Sequence, residues 1–523
     1  MFKNYNMNQL TLPLDLEVNI PSQDIAQLIH HFVETIDDRE FNAYRSTYGA
    51  SRFHPKMMLK IVLYGYTQSI FSGRKLENML HDSIRFQWLA QGQTPTYRTI
   101  NRFRSSKETQ HLIKSSFSQF RTCLLEESKI DGEKIFIDGT KLEANANKFS
   151  FVWRKRVEKA RESVMKQSEQ LYEAVVVQNI IPAILEDESL EVTAETMAEV
   201  HTQLTEIETK LSKIIENEPS VDERKRVRQK RSTIRQVARK AKMFSERRHK
   251  YDTDLKILGV RNSYSKTDPD ATFMRMKDDP MRNGQLKPGY NVQIATNNQY
   301  VLSYGVYSNP TDTRTLIPFL NDFKSQHNEL PEYIVADAGY GSESNYEAIL
   351  DDFEKTPIIP YNMYYKEQTK TYQKDVFRTQ NWMYDEGTDT YLCPDNRPLE
   401  FKRYGSRNDS YGYKREYKLY QSVSCVGCQL KMMCKKNLND RPKQIQKNMK
   451  YEYFKAQTHH QLLDSKLGKI YSQRKIDVEP TFGHLKANLG FTRFHFRGKS
   501  KVDTELGFAF MALNIKKYAR SMG

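Results

Sequence analysis

Two short apolar runs each place an acid where a buried strand would end. KIFIDGT carries Asp138 behind Ile135, Phe136 and Ile137, and EYIVADAGYG carries Asp337 behind Ile334, Val335 and Ala336. A carboxylate beside an apolar strand is costly to bury unless it is paired or bound to a metal. In α/β sheets, ligand sites also collect at the carboxyl ends of strands. The intervening sequence fits such a sheet. YNVQIATNN and QYVLSYGVYS read as a hairpin across a polar turn, and TDTRTLIPFLNDFKSQ as a helix capped by Thr311 or Asp312. SNYEAILDDF is a second helix and TPIIPY a further strand. That order predicts an α/β domain built on a central mixed sheet.

A third acid, Glu479, falls in a late helical pattern, RKIDVEPTFGHLKANLG, beside Val478, Phe482 and Leu485. Three converging carboxylates make a hard-oxygen site for two Mg²⁺ or Mn²⁺ ions. Such a pair can activate an attacking oxygen and stabilise a leaving one at phosphorus. Taken singly, each Asp has a plainer reading, because Asp-Gly is a common turn and an Asp after a strand often caps a helix.

Charge points to the partner. Across 523 residues, 81 Lys and Arg stand against 65 Asp and Glu, a formal excess of +16. A chain this basic usually meets a polyanion, most often nucleic acid. Mean hydropathy is −0.75, and no run approaches the ~18 apolar residues of a spanning helix. The N-terminus lacks the apolar core and cleavage site of a signal peptide. The expectation is therefore a cytoplasmic, DNA-associated protein with no membrane partner.

Basic residues cluster in two helical regions. Between about 55 and 104, short helices flank the polar turn QGQTP and end in TYRTINRFRSS, a plausible helix-turn-helix. Arg98 and Arg102 share a face there, with Arg104 off to one side. An ordinary bundle with a solvated basic face fits equally well. From about 154 to 218 the pattern is helical and charged. Met197, Val200, Leu204, Ile207, Leu211 and Ile214 form a narrow apolar seam. Its expected partner is the antiparallel run Val157, Ala160, Val164, Leu171 and Val175, with dimerisation through the same seam left open. The helix over 223–250, including Arg228 and Arg235, is so rich in Lys and Arg that it points to DNA backbone contact, with a solvated face as the plain alternative.

Of five cysteines, Cys123 reads as a small buried hydrophobe. Cys425 and Cys428 form a CxxC knuckle, with Cys434 following and Cys393 upstream. This set suits structural Zn²⁺ better than disulfides, against free thiols as the alternative. Lys431, Lys435 and Lys436 around it add a further basic surface.

Together these features resemble the DDE transposases of bacterial insertion sequences. FHPKMMLKIVLYGYTQSIFSGRKLENML and TPTYRTINRFR are similar to the family's helical DNA-binding region, and IDGTKLEANAN to its first-Asp motif. VADAGYGSESNYEAI resembles the second-Asp motif, and YSQRKIDVEPTFGHLKANLGFTRFHFRG the Glu motif with its recurring Tyr, Arg, Glu and Lys. The resemblance spans most of the chain and implies an RNase H-like catalytic domain. Matched residue by residue, it assigns catalysis and Mg²⁺ or Mn²⁺ binding to Asp138, Asp337 and Glu479. The Lys seven residues after the Glu is Lys486. The pattern sets an Arg four residues before the Glu, where this chain has Lys475 with Arg474 adjacent, and Tyr471 is one place early. Lys486, with Lys475 or Arg474, would hold phosphate.

The resemblance implies a helical DNA-binding region over 1–125 and a catalytic domain over 126–153, 251–360 and 466–523. A charged helical hairpin with its basic helix is inserted over 154–250, and a small Cys-rich insertion over 361–465. The expected partners are double-stranded terminal inverted repeats and target DNA, held by a homodimer. A DNA-binding protein without catalysis and an RNase H-like nuclease without strand transfer are the alternatives.

Overall fold

A computed structural model describes residues 20–45, 52–185, 191–276, 284–409, 411–435 and 441–522. The Pro-punctuated start of the sequence and Lys436 lie outside the described residues. The chain divides into two compact units, Met1–Asn145 with Met274–Gly523, and Ala146–Phe273.

In the larger unit, β1 (Lys134–Glu143), β2 (Leu286–Asn297), β3 (Tyr300–Tyr307), β4 (Tyr333–Ala336) and β5 (Thr356–Ile358) lie in the order β3-β2-β1-β4-β5. β2 runs antiparallel to β1 and β3, while β4 runs parallel to β1 and β5. The β2–β3 hairpin turns at Asn298 and Gln299, whose φ values of 48° and 60° give the mirror-image turn that matches strand twist. The predicted mixed sheet is thus present. Burial along β1 to β4 is nearly continuous rather than alternating, as expected where helices cover the sheet. Helix Ser465–Gly483 crosses β1, β2 and β4, and helix Lys499–Met522 packs on β3.

The N-terminal helices share this core. Helix Pro55–Thr67 starts with Pro at a position that needs no donor, and His54 Nδ1 accepts from the Lys56 amide at 3.3 Å. All its residues are buried, because helices Ile25–Thr35, Ile84–Ala90 and Lys499–Met522 surround it. Burial of Lys60 is tolerated because Nζ lies 2.5 Å from Glu34 Oε1 and 2.9 Å from His30 Nδ1.

The Cys-rich segment folds as a five-stranded antiparallel meander that includes Pro398–Asn408 and Lys414–Ser422. It has a small core of its own, built from Trp382, Tyr391, Leu399, Tyr420 and Ile445, with Cys393 and Cys434 packed against it.

Among the described residues, the smaller unit contains three helices, Arg154–Val177, Ala194–Asn217 and Val221–Leu258. The spacing predicts the first helix as partner of the Met197 seam, but the structure gives that place chiefly to the basic helix. Ile234, Ala238, Ala241 and Phe244 recur every three or four residues along it and form a seam hidden among the charges. Met197, Val200, Leu204 and Leu211 are covered by it within the chain, while Ile214 is exposed.

Candidate active site

Parallel pairing of β1 with β4 matches Ile137 to Ala336, so Asp138 and Asp337 follow in step on adjacent strands. Paired strands lie about 4.8 Å apart, so the two acids follow from neighbouring strand ends. Asp138 is 8 % exposed, and its Oδ1 accepts from the Gly139 amide at 2.7 Å. Asp337 is half-buried and caps the short turn Ala338–Tyr340, accepting from the Gly339 amide at 2.8 Å. It therefore performs the plain capping role and still stands beside Asp138.

A cation from helix Ser465–Gly483 reaches over the pair. Arg474 Nη1 lies 3.7 Å from Asp138 Oδ2. Burial disfavours its charge, yet Tyr471, Asp138 and Asp337 hold its pKa above the ordinary guanidinium value. Tyr471 is fixed in turn by the Tyr365 hydroxyl, which donates at 3.1 Å. Of the two cations the sequence leaves open, Arg474 is the one at the carboxylates, while Lys475 is exposed.

Glu479 is placed differently from the expectation of an apolar setting. Val478 is fully buried, and the next residue lies about 100° further round the helix. Glu479 is accordingly exposed. The acid buried on this helix is Asp477, which accepts from the Gln299 amide at 3.0 Å and holds the β2–β3 turn. Pro480 follows inside the helix and removes one backbone donor, and a π-turn spans His484–Asn488. Lys486 sits half-buried in that turn, where the wider winding alters the face predicted from a regular helix. Among the described residues, no three His, Cys, Asp or Glu side chains close on one metal position. The pair of adjacent carboxylates is nevertheless the oxygen chemistry that Mg²⁺ or Mn²⁺ takes.

On the opposite face of β1 lies a polar layer that the sequence reading does not single out. Gly139 pairs with Gln293, and Lys141 with Asn291. Gln293 Nε2 donates to Asn291 Oδ1 at 3.0 Å and to Asp312 Oδ1 at 3.1 Å, and Asn291 Nδ2 donates to Asp312 Oδ1 at 2.8 Å. The Tyr340 hydroxyl donates to Gln293 Oε1. Asn291, Gln293 and Tyr340 are fully buried. The available signal was two polar residues two apart within an otherwise apolar strand, YNVQIA.

Residues 392–519 match the family described as Transposase DDE domain, and residues 14–106 match Transposase domain (DUF772). Both matches support an insertion-sequence DDE transposase. Neither a comparison with curated proteins nor one with solved structures gave a match. Arg474, Glu479 and Lys486 fall inside the first matched stretch, whereas Asp138 and Asp337 fall outside both.

Arg98 and Arg102 lie in the other matched stretch, exposed on helix Tyr97–Arg104. The Arg98 guanidinium stacks on Tyr97, and so does that of Arg74, at 5.8 and 5.1 Å from the ring centre. Arg104 is not a companion surface cation. It is 2 % exposed, and it donates to the Phe71 carbonyl at 2.6 Å, Asn101 Oδ1 at 2.5 Å and the Tyr66 hydroxyl at 3.2 Å. On the basic helix Arg228 is exposed, and Arg235 is paired with Glu208 at 3.3 Å. No helix among the described residues is long and apolar enough to cross a membrane.

Cys123, Cys393, Cys425, Cys428 and Cys434 are not paired in disulfides, and Cys123 is half-buried rather than buried. Burial, together with Cys393 and Cys425 nearby, pushes the Cys434 thiol up, and burial and Asp395 do the same for Cys428. Arg397 ties the two cysteine loops together, donating to the carbonyls of Ser424 at 3.2 Å and Val426 at 2.8 Å.

Proposed function

We propose that this transposase binds the terminal inverted repeats of its element, cuts DNA at the element ends and joins the 3′ ends to target DNA. The observation that carries the reading is the side-by-side placement of Asp138 and Asp337 beneath Arg474. The mixed order β3-β2-β1-β4-β5 is consistent with an RNase H-like domain. We assign Asp138, Asp337 and Glu479 to hold two Mg²⁺ or Mn²⁺ ions, which when bound lower the pKa of the attacking oxygen and stabilise the leaving one.

Arg474 exchanges Asp138 for the incoming phosphate, a geometry that its planar fork suits. Lys475 on the same helix and Lys486 in the π-turn after it add positive charge. In the first step a water oxygen attacks phosphorus, the bond to the 3′ oxygen breaks, and that oxygen leaves with a proton as a 3′-hydroxyl. In the second, this hydroxyl attacks a target phosphorus and displaces the target's own 3′ oxygen. Both steps are in-line displacements, so one pocket serves both. Arg98, Arg102, Arg228 and Arg235 contact DNA backbone, and two copies of the chain hold the two ends. Cys393, Cys425, Cys428 and Cys434 hold a structural Zn²⁺ between their tied loops.

That no three acids close on one metal position among the described residues favours a second reading, a DNA-binding protein without catalysis. The deciding experiment is a labelled duplex bearing the terminal repeat, incubated with Mg²⁺ and with EDTA, beside a Glu479→Gln variant. Metal-dependent nicking at the repeat boundary, lost in the variant, supports the proposal, and release of the cut end without joining to target favours a nuclease. Binding without cleavage favours the second reading. Absence of binding overturns all three.

A further inference from the structure

Asp138 and Asp337 come from segments far apart in sequence, and the two-metal reading above needs their spacing held closely. The backbone ladder fixes β1 against β4 only as far as Ile137 and Ala336, one residue short of each acid. Beyond that point a buried side chain, Gln293, links the two segments. On the β1 side, Gly139 stands directly across from Gln293. A Cβ at Gly139 would overlap Gln293 Nε2 and come within 2.9 Å of Asp312 Oδ1, so Gln293 lies flat against the backbone that follows Asp138. On the β4 side, the Gln293 Oε1 receives the hydroxyl of Tyr340, the last residue of the turn that Asp337 caps. The amide end of Gln293 is held by Asn291 and Asp312 at 3.0 and 3.1 Å. The next residue, Thr313, donates from its hydroxyl to the Gly339 carbonyl at 2.7 Å. Asn345 closes the ring, donating to the Thr313 carbonyl at 3.0 Å and the Tyr340 carbonyl at 2.7 Å.

We infer that Gln293 and Tyr340 are positioning residues, a strut on the far face of the sheet that sets Asp337 against Asp138 for metal binding. This rests on the proposed role of those two acids. Gln293 suits the task because its amide donates toward Asp312 and accepts from Tyr340 without charge. A carboxylate there would face Asp312 with like charge, and an apolar side chain would leave both neighbours without this partner.

The test is Mn²⁺ binding to the full chain, followed by electron paramagnetic resonance of the free ion, for wild type, Tyr340→Phe and Gln293→Met. Thermal melting and terminal-repeat DNA binding are measured alongside. Loss of an outer partner of a metal-ligating group typically weakens metal affinity by 10- to 100-fold. Tyr340→Phe, which deletes one oxygen from a residue the fold already encloses, is expected to weaken Mn²⁺ binding about tenfold while DNA affinity stays at the wild-type value. Gln293→Met is expected to weaken it at least as much. Wild-type Mn²⁺ affinity in folded Tyr340→Phe, whatever its melting temperature, overturns the inference and leaves the transposase reading intact. If wild type itself takes up no Mn²⁺ and an Asp138→Asn variant matches it, the metal reading fails and this inference falls with it.

Discussion

Replacing Arg104 by alanine separates the buried from the exposed arginines of the helix Tyr97–Arg104. The side chain makes three hydrogen bonds, to the Phe71 carbonyl, Asn101 and Tyr66, and its guanidinium lies 4.9 Å from the centre of the Phe496 ring. Hydrogen bonds from a charged donor contribute about 1.5–3 kcal/mol each, and a desolvated cation–π contact about 2 kcal/mol. Against that gross sum of roughly 6–11 kcal/mol stands the cost of keeping a cation out of water, several kcal/mol. The Arg104 Nε also lacks a hydrogen-bond partner, which weakens the gross gain. A net loss of about 3–5 kcal/mol follows, with three neutral acceptors left without their donor. Arg104→Lys should recover little of it, because one ammonium cannot span the separated acceptors as the planar fork does. Thermal melting of Arg104→Ala beside Arg102→Ala measures the difference. Arg104→Ala should melt several degrees lower, while Arg102→Ala should melt like wild type and bind terminal-repeat DNA less tightly. If Arg104→Ala melts with wild type and loses DNA binding as Arg102→Ala does, the buried assignment is refuted.

Arg98→Ala and Arg228→Ala should each lower the slope of log affinity against log salt by about 0.9, measured by fluorescence anisotropy on duplex DNA, since each removes one of the proposed phosphate contacts. His327 is 8 % exposed, and burial, aided by Arg121, lowers its pKa from 6.5 to about 4. The unfolded chain therefore takes up a proton below pH 6.5 that the folded one refuses until about pH 4. Stability is full above that window and falls as pH drops through it, by about 2 kcal/mol at pH 5, and His327→Gln should flatten this part of the pH–melting curve. Purified protein should contain one equivalent of Zn²⁺ by elemental analysis, and Cys425→Ser with Cys428→Ser should lose it; a metal-free wild type that melts unchanged with added Zn²⁺ would remove zinc from the picture.

Much of the fold was legible because local chemistry and long-range packing agree in it. The apolar runs ending at Asp138 and Asp337 could be read as strands, and pairing of Ile137 with Ala336 then puts the acids side by side. Where the reading went astray, one residue answered to two patterns at once. Arg104 counts as a cation by type, yet it stands four residues after Ile100, on the buried face, and packing decides its role. On the basic helix the Lys and Arg residues draw attention from Ile234, Ala238, Ala241 and Phe244, whose helical spacing is what selects the partner helix.

Glu479 and Gln293 differ for a deeper reason. Motif spacing identifies residue types, but a site is built from directions, and directions depend on the winding between them. Val478 and Glu479 are neighbours in sequence that point about 100° apart, and Pro480 and the π-turn at His484–Asn488 alter the winding before Lys486 is reached. Gln293, by contrast, occupies an ordinary strand position whose importance arises only when Tyr340 and Asp312 are brought to it from elsewhere in the chain. Its buried amide would be costly if unpaired, and here both ends are held by groups flanking the two acids. A neutral polar residue in an apolar strand is thus a stronger pointer to a constructed site than another carboxylate on a helix, because burial requires it to have been provided with partners.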